Sequence, residues 1–354
     1  MPTIVDVAHR AQVSWNTVSR VINNDPSVRP PTRRAVLQAI DELGYVPNGG
    51  ARALRNARTR TIGLILSDLR DPVFNALVAE VEKVVFSRGY SLLVCDTWRG
   101  PGDQAQSLRS LYERRVEGLL YYPVDGSTTE LELFVRSNTP VLVLDWEEPL
   151  MDLPCLRLDY RAGMNLAVEY LVGLGHRRIA LLGWHGPFFA WRVEELRQAL
   201  QERGCRLDPS YIIMPGSIKE YYASIRSLLN RPDRPTALLV GLLIMIPDVL
   251  KGIQAAGLAV PRDVSVISIG DAPWAEVTRP PLTVLTTDER ARGRAAAEYL
   301  FARLAGDDGS EFLRAWDVQF LVRESCAAPP DLNGSRSVVA DAPGQPHGAT
   351  GFAE

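Results

Sequence analysis

From Thr61 onward, the sequence alternates short apolar runs with longer amphipathic segments. Strand and helix in alternation predict βαβ units, in which parallel sheets lie between layers of helices. The candidate strands are Ile62–Leu66, Ser91–Cys95, Gly118–Tyr122, Val141–Asp145, Ile179–Gly183, Ala237–Val240, Val264–Ile269 and Leu282–Thr286, and candidate helices include Phe74–Phe86, Gln104–Arg115, Met164–Leu174 and Ala190–Arg203. Because this region exceeds one ordinary doubly wound sheet, we predict two α/β lobes, with a ligand cleft at the carboxyl ends of their strands.

Composition excludes several classes of protein. No apolar run in the 354 residues approaches the length that spans a bilayer, which is roughly 20 residues. The first residues include Asp6 and lack the apolar stretch of a signal peptide. Four cysteines lie far apart, in no metal-ligand spacing, and we interpret them as reduced thiols. We therefore expect a cytoplasmic protein with no membrane partner.

The formal net charge of −3 conceals a division of charge along the chain. Residues 1–60 hold nine arginines and four acidic residues, a net charge of +5, which leaves −8 for the remainder. A coding bias explains why the protein has 36 arginines and only three lysines, but it does not explain the excess at one end. A basic N-terminal region on an acidic body indicates a region that meets a polyanion.

Three short helices are predicted in this basic region. Thr3 and Asp6 have the spacing of a capping box for the first, and Ser14 caps a second helix that begins at Trp15. Two prolines open a third helix, which ends at Gly44. Three short helices separated by brief turns match the helix-turn-helix plan.

On the second helix, Val18, Val21 and Ile22 share a face that packs inward. The polar residues point away from it (Asn16, Ser19 and Arg20) or lie at its flank (Thr17). Asn and Arg are suited to bidentate contacts with adenine and guanine edges, and short hydroxyls to phosphate oxygens. Trp15 lies at the edge of the apolar face, where partial burial and contact with a base remain alternatives.

The segment TIVDVAHRAQVSWNTVSRVIN closely resembles the DNA-binding head of the lac repressor (LacI/GalR) family of bacterial transcription regulators. Gln12 departs from the family pattern, which has Gly in this turn. A glutamine at positive φ costs about 1 kcal/mol, which the fold can absorb. The segment from Asn48 to Arg55 resembles the family's hinge helix, which orders on the operator and enters the minor groove. Gly49 and Gly50 raise the cost of that ordering.

The resemblance implies the DNA-binding residues of this chain. Trp15, Asn16 and Arg20 are the base readers, and Ser14, Thr17 and Ser19 contact phosphates. Leu54 pries a central base step apart. The full candidate set is Thr3, Ser14, Trp15, Asn16, Thr17, Ser19, Arg20, Asn23, Ala51, Arg52 and Leu54.

The body also resembles that family, with a type I periplasmic-binding-protein-like fold, so that the resemblance spans residues 2–324. It implies four parts: a helix-turn-helix domain (1–47), a hinge (48–60), a two-lobed effector-binding and dimerisation domain (61–324) and a tail (325–354). Within 61–324, lobe 1 comprises about 61–156 and 288–316, and lobe 2 about 157–287 and 318–324. The tail, rich in proline and small polar residues, is predicted to be disordered.

Six residues are candidates for the effector site: Phe74, Asp145, Trp146, Phe188, Arg192 and Asp271. Arg192 aligns with the arginine that clamps an effector's hydroxyl or carboxyl groups; an ordinary exposed helix arginine is the alternative. The usual pocket aspartate aligns with Gly270, so that Asp271 is displaced by one position. Because a pocket without that carboxylate binds hexoses poorly, we expect either an atypical, more apolar effector or a sensor that has lost its ligand.

No catalytic motif is present. The sequence contains no dinucleotide-binding glycine motif, Walker A loop or nucleophile elbow, and it suggests no metal site and no cofactor. His176 is expected to bond the backbone. We predict a transcriptional repressor that binds a pseudo-palindromic operator as a homodimer or tetramer, modulated by a small-molecule effector that is a carbohydrate or an atypical ligand. The alternatives are an effector-independent regulator and, more distantly, a sugar-binding protein with no role on DNA.

Overall fold

The computed structural model describes residues 2–45, 58–97, 100–215 and 218–330. Contacts divide the chain into two compact units. The first comprises Met1–Leu69, Phe74–Arg157 and Glu289–Arg314, and the second comprises Arg70–Val73, Leu158–Asp288 and Ala315–Glu354. Each unit is therefore assembled from separate stretches of the chain.

Residues 2–45, called the head below, form three helices: α1 (Ile4–Arg10), α2 (Trp15–Ile22) and α3 (Pro30–Leu43). The predicted caps are confirmed. The Thr3 hydroxyl accepts from the Asp6 backbone N–H while the Asp6 carboxylate accepts from that of Thr3, and the Ser14 hydroxyl accepts from Thr17. The three helices enclose a small apolar core of Val7, Ala8, Val18, Val21, Val28, Val36 and Ala39.

The first unit also contains a five-stranded, all-parallel sheet in the order β2-β1-β3-β4-β5. Its strands are β1 (Thr61–Leu66), β2 (Ser91–Asp96), β3 (Gly118–Tyr121), β4 (Val141–Leu144) and β5 (Cys155–Leu156). Its helices are α4 (Val73–Ser87), α5 (Pro101–Glu113), α6 (Leu131–Arg136) and, after the chain returns, α11 (Glu289–Ala305).

The second unit contains a six-stranded sheet in the order β13-β11-β10-β9-β7-β8, which is parallel except for β13. Its strands are β7 (Ile179–Leu182), β8 (Ile212–Ile213), β9 (Ala237–Val240), β10 (Ser265–Ile269), β11 (Thr283–Thr286) and β13 (Gln319–Leu321). A second, parallel pair joins β6 (Leu158–Asp159) and β12 (Trp316–Asp317). The helices are α7 (Tyr160–Gly173), α8 (Pro187–Glu202), α9 (Ile218–Leu229) and α10 (Ile246–Ala255).

Both faces of this second sheet are buried. Ala180 and Leu182 of β7 belong to one apolar cluster, whereas Ile179 and Leu181 belong to another. Alternate side chains of one strand thus enter two separate cores, as expected for a strand between two layers of helices. The alternation of strands and helices predicted from the sequence is confirmed, with strand ends that differ by about one residue.

The prediction of a disordered tail is wrong at its beginning, because residues 325–330 pack against the second unit. Ser325 is fully buried, and its hydroxyl accepts from the Thr283 backbone N–H at 2.8 Å and donates to the Val266 carbonyl at 2.5 Å. Hydrogen bonds to strand backbone, which composition does not reveal, hold this polar segment. The rest of the predicted tail, 331–354, lies outside the described residues.

Candidate nucleic-acid interface and effector residues

The solvent-exposed side of α2 carries the candidate base readers. Asn16, Arg20 and Asn23 are exposed, and the Trp15 side chain is 54% exposed. The structure thus argues against burial of Trp15 in the core, and its contact with a base stays a prediction. A short helix that buries its valines and presents Trp15, Asn16 and Arg20, with Asn23 at its C-cap, has the form of a recognition helix.

Arg20 is held in place before any DNA is bound. Its Nε donates to the Asp25 carboxylate at 2.8 Å, and a terminal nitrogen donates to the Ser27 hydroxyl. The Ser27 hydroxyl and backbone N–H, together with Arg20, hold the pKa of the Asp25 carboxyl well below its usual range. The guanidinium therefore faces an ionised carboxylate, and its contact with a guanine edge stays a prediction from the sequence.

Ser19 does not point outward as the sequence predicts. Its exposed fraction is 8%, because it lies beside Val18 on the buried side of the short helix. Thr17 is half-buried, with its hydroxyl 2.9 Å from that of Ser14. Thr3 is exposed, and its hydroxyl donates to Asp6 at 2.8 Å.

The hinge residues Ala51, Arg52 and Leu54 lie outside the described residues. Their assignment to the minor groove stays a prediction from the sequence.

Three effector candidates belong to the first unit. Phe74 packs edge-to-face on Tyr122, with 5.2 Å between ring centroids. Trp146 is buried and accepts a hydrogen bond from the Cys155 thiol at its carbonyl. Asp145, with a φ of 56°, directs its carboxylate at the buried guanidinium of Arg292, 2.6 Å away.

The other three candidates belong to the second unit. Phe188 lies edge-to-face on Trp191, on the first turns of α8. Arg192 is 7% exposed, which rules out the exposed-arginine alternative. Its guanidinium lies 3.6 Å from the ring centroid of Tyr160 and pairs with Glu195 at 2.5 Å.

Asp271 follows β10, and its two carboxylate oxygens accept from the two terminal nitrogens of Arg323 at 3.0 and 2.7 Å. Arg323 also reaches Glu276 at 3.1 Å. The hydrogen bonds to Asp271 come first among the causes that raise the pKa of Arg323. The carboxylate displaced in the sequence is therefore neutralised within the unit itself.

Sequence reasoning missed three residues of these networks: Arg292, Arg323 and Tyr160. The i,i+3 spacing of Glu289 and Arg292 was a signal for their 2.8 Å pair. Nothing in the sequence indicated the partner of Arg292 just after β4, Asp145, which lies 147 positions away. His176 differs from expectation in part, since it bonds two hydroxyls, of Thr236 and Ser265, besides the Ala327 carbonyl.

Within 2–45, 58–97, 100–215 and 218–330, no cluster of three or more His, Cys, Asp or Glu side chains has the arrangement of a metal site. In the same ranges, no helix is long and apolar enough to cross a membrane.

A capped recognition helix, followed by two α/β units of the periplasmic-binding type, defines a DNA-binding transcriptional regulator with an effector-binding body. The family model for bacterial regulatory proteins of the lacI family matches residues 3–48, and that for the periplasmic binding protein-like domain matches residues 168–326. The chain belongs to the lacI family.

Curated relatives match over nearly the whole chain. The HTH-type transcriptional repressor PurR of Photobacterium profundum is 31% identical over 94% of this chain and all of its own length. The ribose operon repressor of Escherichia coli K12 is 33% identical over 86% of this chain and 93% of its own.

Solved structures agree with this assignment. The lac repressor dimer bound to operator and the anti-inducer ONPF has a TM-score of 0.77 and 26% identity, and the match covers 92% of this chain and 99% of that one. A complex of the regulator CelR with cellobiose has a TM-score of 0.65 and 27% identity, covering 92% of this chain and 100% of that one.

Proposed function

We propose that this protein is a cytoplasmic repressor that binds a pseudo-palindromic operator as a homodimer, each head reading one half-site with α2 in the major groove. The observation that carries the proposal is the exposed side of α2, where Asn16 and Arg20 stand on a helix that Ser14 caps. Asn is suited to adenine, and Arg to guanine. Two heads related by a two-fold axis match two inverted half-sites.

The roles of the other head residues follow from their positions. Ser14 and Thr17 lie at the N-terminus of α2, where backbone N–H groups and hydroxyls meet phosphate oxygens. Thr3 lies at the equivalent end of α1. Ala51, Arg52 and Leu54 form the hinge that enters the minor groove at the operator centre. We assign residues 1–47 to the DNA-binding domain, 48–60 to the hinge and 61–324 to the body.

Selection of bound duplexes from a random-sequence library tests this function. We expect the full-length protein to enrich an inverted repeat. On that repeat, Asn16→Ala should lose about 1–3 kcal/mol of discrimination between the preferred adenine and any other base at that position. The loss is expected because a bidentate pair is removed. Arg20→Lys should relax selectivity at a guanine while keeping the charge.

The matched control is Gln38→Ala on the exposed side of α3, which should leave the selected sequence unchanged. Enrichment of no sequence by the wild-type protein would overturn the proposal. Equal selectivity of wild type and Asn16→Ala would remove α2 as the reading element.

We also propose that the effector is poorer in hydroxyl groups than a hexose. The support is the two-pronged pairing of Asp271 with Arg323 and the pairing of Arg192 with Glu195, which engage the charged groups of the second unit internally. A hexose hydroxyl gains little from a carboxylate that already accepts from a guanidinium. Titration calorimetry with the hexoses glucose and galactose should show no tight binding. Tight binding of either sugar contradicts this part of the proposal.

The same pairs favour a second candidate, a regulator that needs no effector. It predicts that operator affinity is unchanged by any small molecule in a metabolite screen. One molecule that alters operator affinity decides for the first candidate.

Among the described residues of the body, we identify no set of side chains arranged as a catalytic site. We therefore assign the protein no catalytic activity. The pKa values of the Cys95 and Cys155 thiols are raised, and the chief cause is burial. A raised thiol pKa disfavours the nucleophilic thiolate.

A further inference from the structure

Arg20 forms a closed ring of hydrogen bonds with the loop that follows α2. Its Nε donates to Oδ2 of Asp25 at 2.8 Å, and its Nη2 donates to the Ser27 hydroxyl. That hydroxyl donates in turn to Oδ1 of the same carboxylate at 2.5 Å. Asp25 and Ser27 thus hold one edge of the planar guanidinium in a defined orientation.

The terminal edge of this guanidinium is left for another partner. An arginine has five N–H donors in a fixed, planar arrangement. The ring engages Nε and Nη2, whereas Nη1 donates to no residue in the part of the chain that the structure describes. The terminal edge, with one N–H from each of Nη1 and Nη2, therefore carries two parallel donors. A guanine presents two acceptors, O6 and N7, that match such a pair.

Asp25 is itself fixed to both neighbouring helices of the head. Its backbone N–H donates to the Arg20 carbonyl on α2 at 3.0 Å. Arg33 on α3 donates from Nη2 to the Asp25 carbonyl at 2.5 Å and from Nη1 to the Asn24 side chain at 3.2 Å. Oδ1 of Asp25 also accepts from the Ser27 backbone N–H at 2.9 Å. The carboxylate is therefore a fixed support for the guanidinium.

Stability of the fold does not account for this arrangement. The side chains of Arg20 and Asp25 are 47% and 33% exposed, and ion pairs in contact with solvent stabilise a protein little. By contrast, an unsupported arginine loses much rotamer entropy when it docks on a base. Because the ring restrains the side chain in advance, it reduces that loss on binding.

We propose that Asp25 and Ser27 are positioning residues, which orient Arg20 so that its terminal edge reads a guanine. The inference rests on the proposed operator-binding function and deepens it. The ring is kept on DNA, and the guanine takes only the terminal edge. Base selectivity at this position then depends on two loop residues that themselves contact no base.

The test measures base discrimination by the full-length protein at single positions of the selected repeat. Arg20→Ala first identifies the guanine, as the position whose preference it abolishes. The central variant is Asp25→Asn, because Oδ1 can still accept from the Ser27 N–H while the group that faces Nε changes from an acceptor to a donor. Ser27→Ala removes the second contact of the ring.

The matched control is Glu42→Gln. Glu42 pairs with Arg10 elsewhere in the head at 2.6 Å, and both side chains are partly exposed, as in the pair of Arg20 with Asp25. This variant also exchanges a carboxylate for an amide, so that the two variants have the same net charge.

We expect Asp25→Asn to lower the ratio of affinities for the guanine and for other bases by about 2- to 10-fold, the factor that corresponds to immobilising one such side chain. Ser27→Ala should lower it less. Discrimination at the adenine read by Asn16 should stay unchanged in both, whereas a general loosening of the head would reduce it too. Glu42→Gln should match the wild type at both positions. In an Arg20→Ala background, Asp25→Asn should have no further effect on discrimination.

Unchanged discrimination at the guanine in Asp25→Asn would overturn the proposal, and so would an equal loss at the adenine or in Glu42→Gln. Tighter binding with unchanged discrimination would overturn it by showing that Asp25 competes with DNA for Arg20. If the wild type selects a repeat in which Arg20→Ala alters no position, the inference fails and the proposed function stands. If the wild type selects no repeat, both fail.

Discussion

Gln12 forms the turn between α1 and α2 with a φ of 53°. Its N–H donates to His9 at 3.3 Å, and that of Val13 donates to Ala8 at 3.0 Å, so the turn also closes the end of α1. Left-handed backbone is the usual way to end a helix, and Gly is the residue that adopts it without strain. The helix-turn-helix geometry therefore prevails here over the preference of the residue.

Replacing Gln12 with Gly should stabilise the head by roughly 0.5–1 kcal/mol, because relief of strain exceeds the added entropy of the unfolded chain. Hydrogen exchange of the α1 and α2 amides in the full-length protein should slow accordingly. The control Gln38→Gly, within α3, should speed exchange by a similar free energy. Faster exchange in Gln12→Gly would show that the side chain stabilises the turn.

Residues whose role depends on near neighbours were predictable. The Thr3–Asp6 box, the Ser14 cap and the left-handed turn at Gln12 all involve groups within four positions of one another. The burial of Ser19 was not predictable, because helical periodicity alone does not give the depth to which a short helix packs into the core.

At the scale of elements, a buried network fastens the end of β4 to the start of α11. Arg292 is 2% exposed and reaches Asp145 at 2.6 Å and Glu289 at 2.8 Å. The strands and helices themselves were predictable from hydrophobic periodicity. This connection was not, since it joins segments nearly 150 residues apart.

Arg292→Met should destabilise the protein by about 3–5 kcal/mol, because it leaves two carboxylates without their shared cation. The double variant with Asp145→Asn should recover part of the loss, with a coupling energy of about 1 kcal/mol or more. Asn also tolerates the left-handed backbone of position 145. Denaturant unfolding measures both, with the exposed Arg290→Met as the control. Strict additivity would show that the network stabilises little.

His176 connects the end of α7 to β9, β10 and the C-terminal segment. It is 1% exposed, and its Nε2 lies 2.8 Å from the Ala327 carbonyl, which fixes this nitrogen as the donor. Burial lowers the pKa of His176 below its ordinary value of 6.5. The imidazole is therefore neutral in the folded state near neutral pH.

A base whose pKa is lowered on folding binds more protons when unfolded, so unfolding free energy rises with pH. The contribution of His176 should be fully present above pH 6.5 and lost as the pH falls from there toward the lowered value. His176→Gln should be less stable than wild type at pH 7, by about 1–3 kcal/mol, with a flatter profile below pH 6.5. Thermal unfolding between pH 5 and 8 measures this, and exposed His185→Gln should follow the wild type. Parallel profiles for His176→Gln and wild type would exclude His176 as the source.

At the scale of the whole molecule, each unit closes with chain from the C-terminal region. The first unit receives α11, and the second receives β12, β13 and residues 325–330. Predicting two α/β lobes from the sequence did not require these last residues, whose composition is that of a linker. Their position depends on hydrogen bonds to strands, and the sequence predicts the ends of those strands only to within about one residue.

Truncation tests the packing of residues 325–330. A chain that ends at Pro330 keeps these residues and serves as the reference. A chain that ends at Glu324 loses the Ser325 hydroxyl and the Ser325 carbonyl, which leaves the buried backbone N–H groups of Thr283 and Val266 without these acceptors. At about 1–3 kcal/mol for each such group, its midpoint should fall by several degrees. Equal midpoints for the two truncations would contradict the structural role of 325–330.

The order in which these pieces leave the ribosome has a consequence for the cell. The head is complete once residue 45 has emerged, whereas both α/β units wait for chain beyond residue 288. Domains generally fold as they are synthesised. Every nascent molecule therefore carries all the residues of its DNA-binding head for most of its synthesis, while both α/β units are still incomplete.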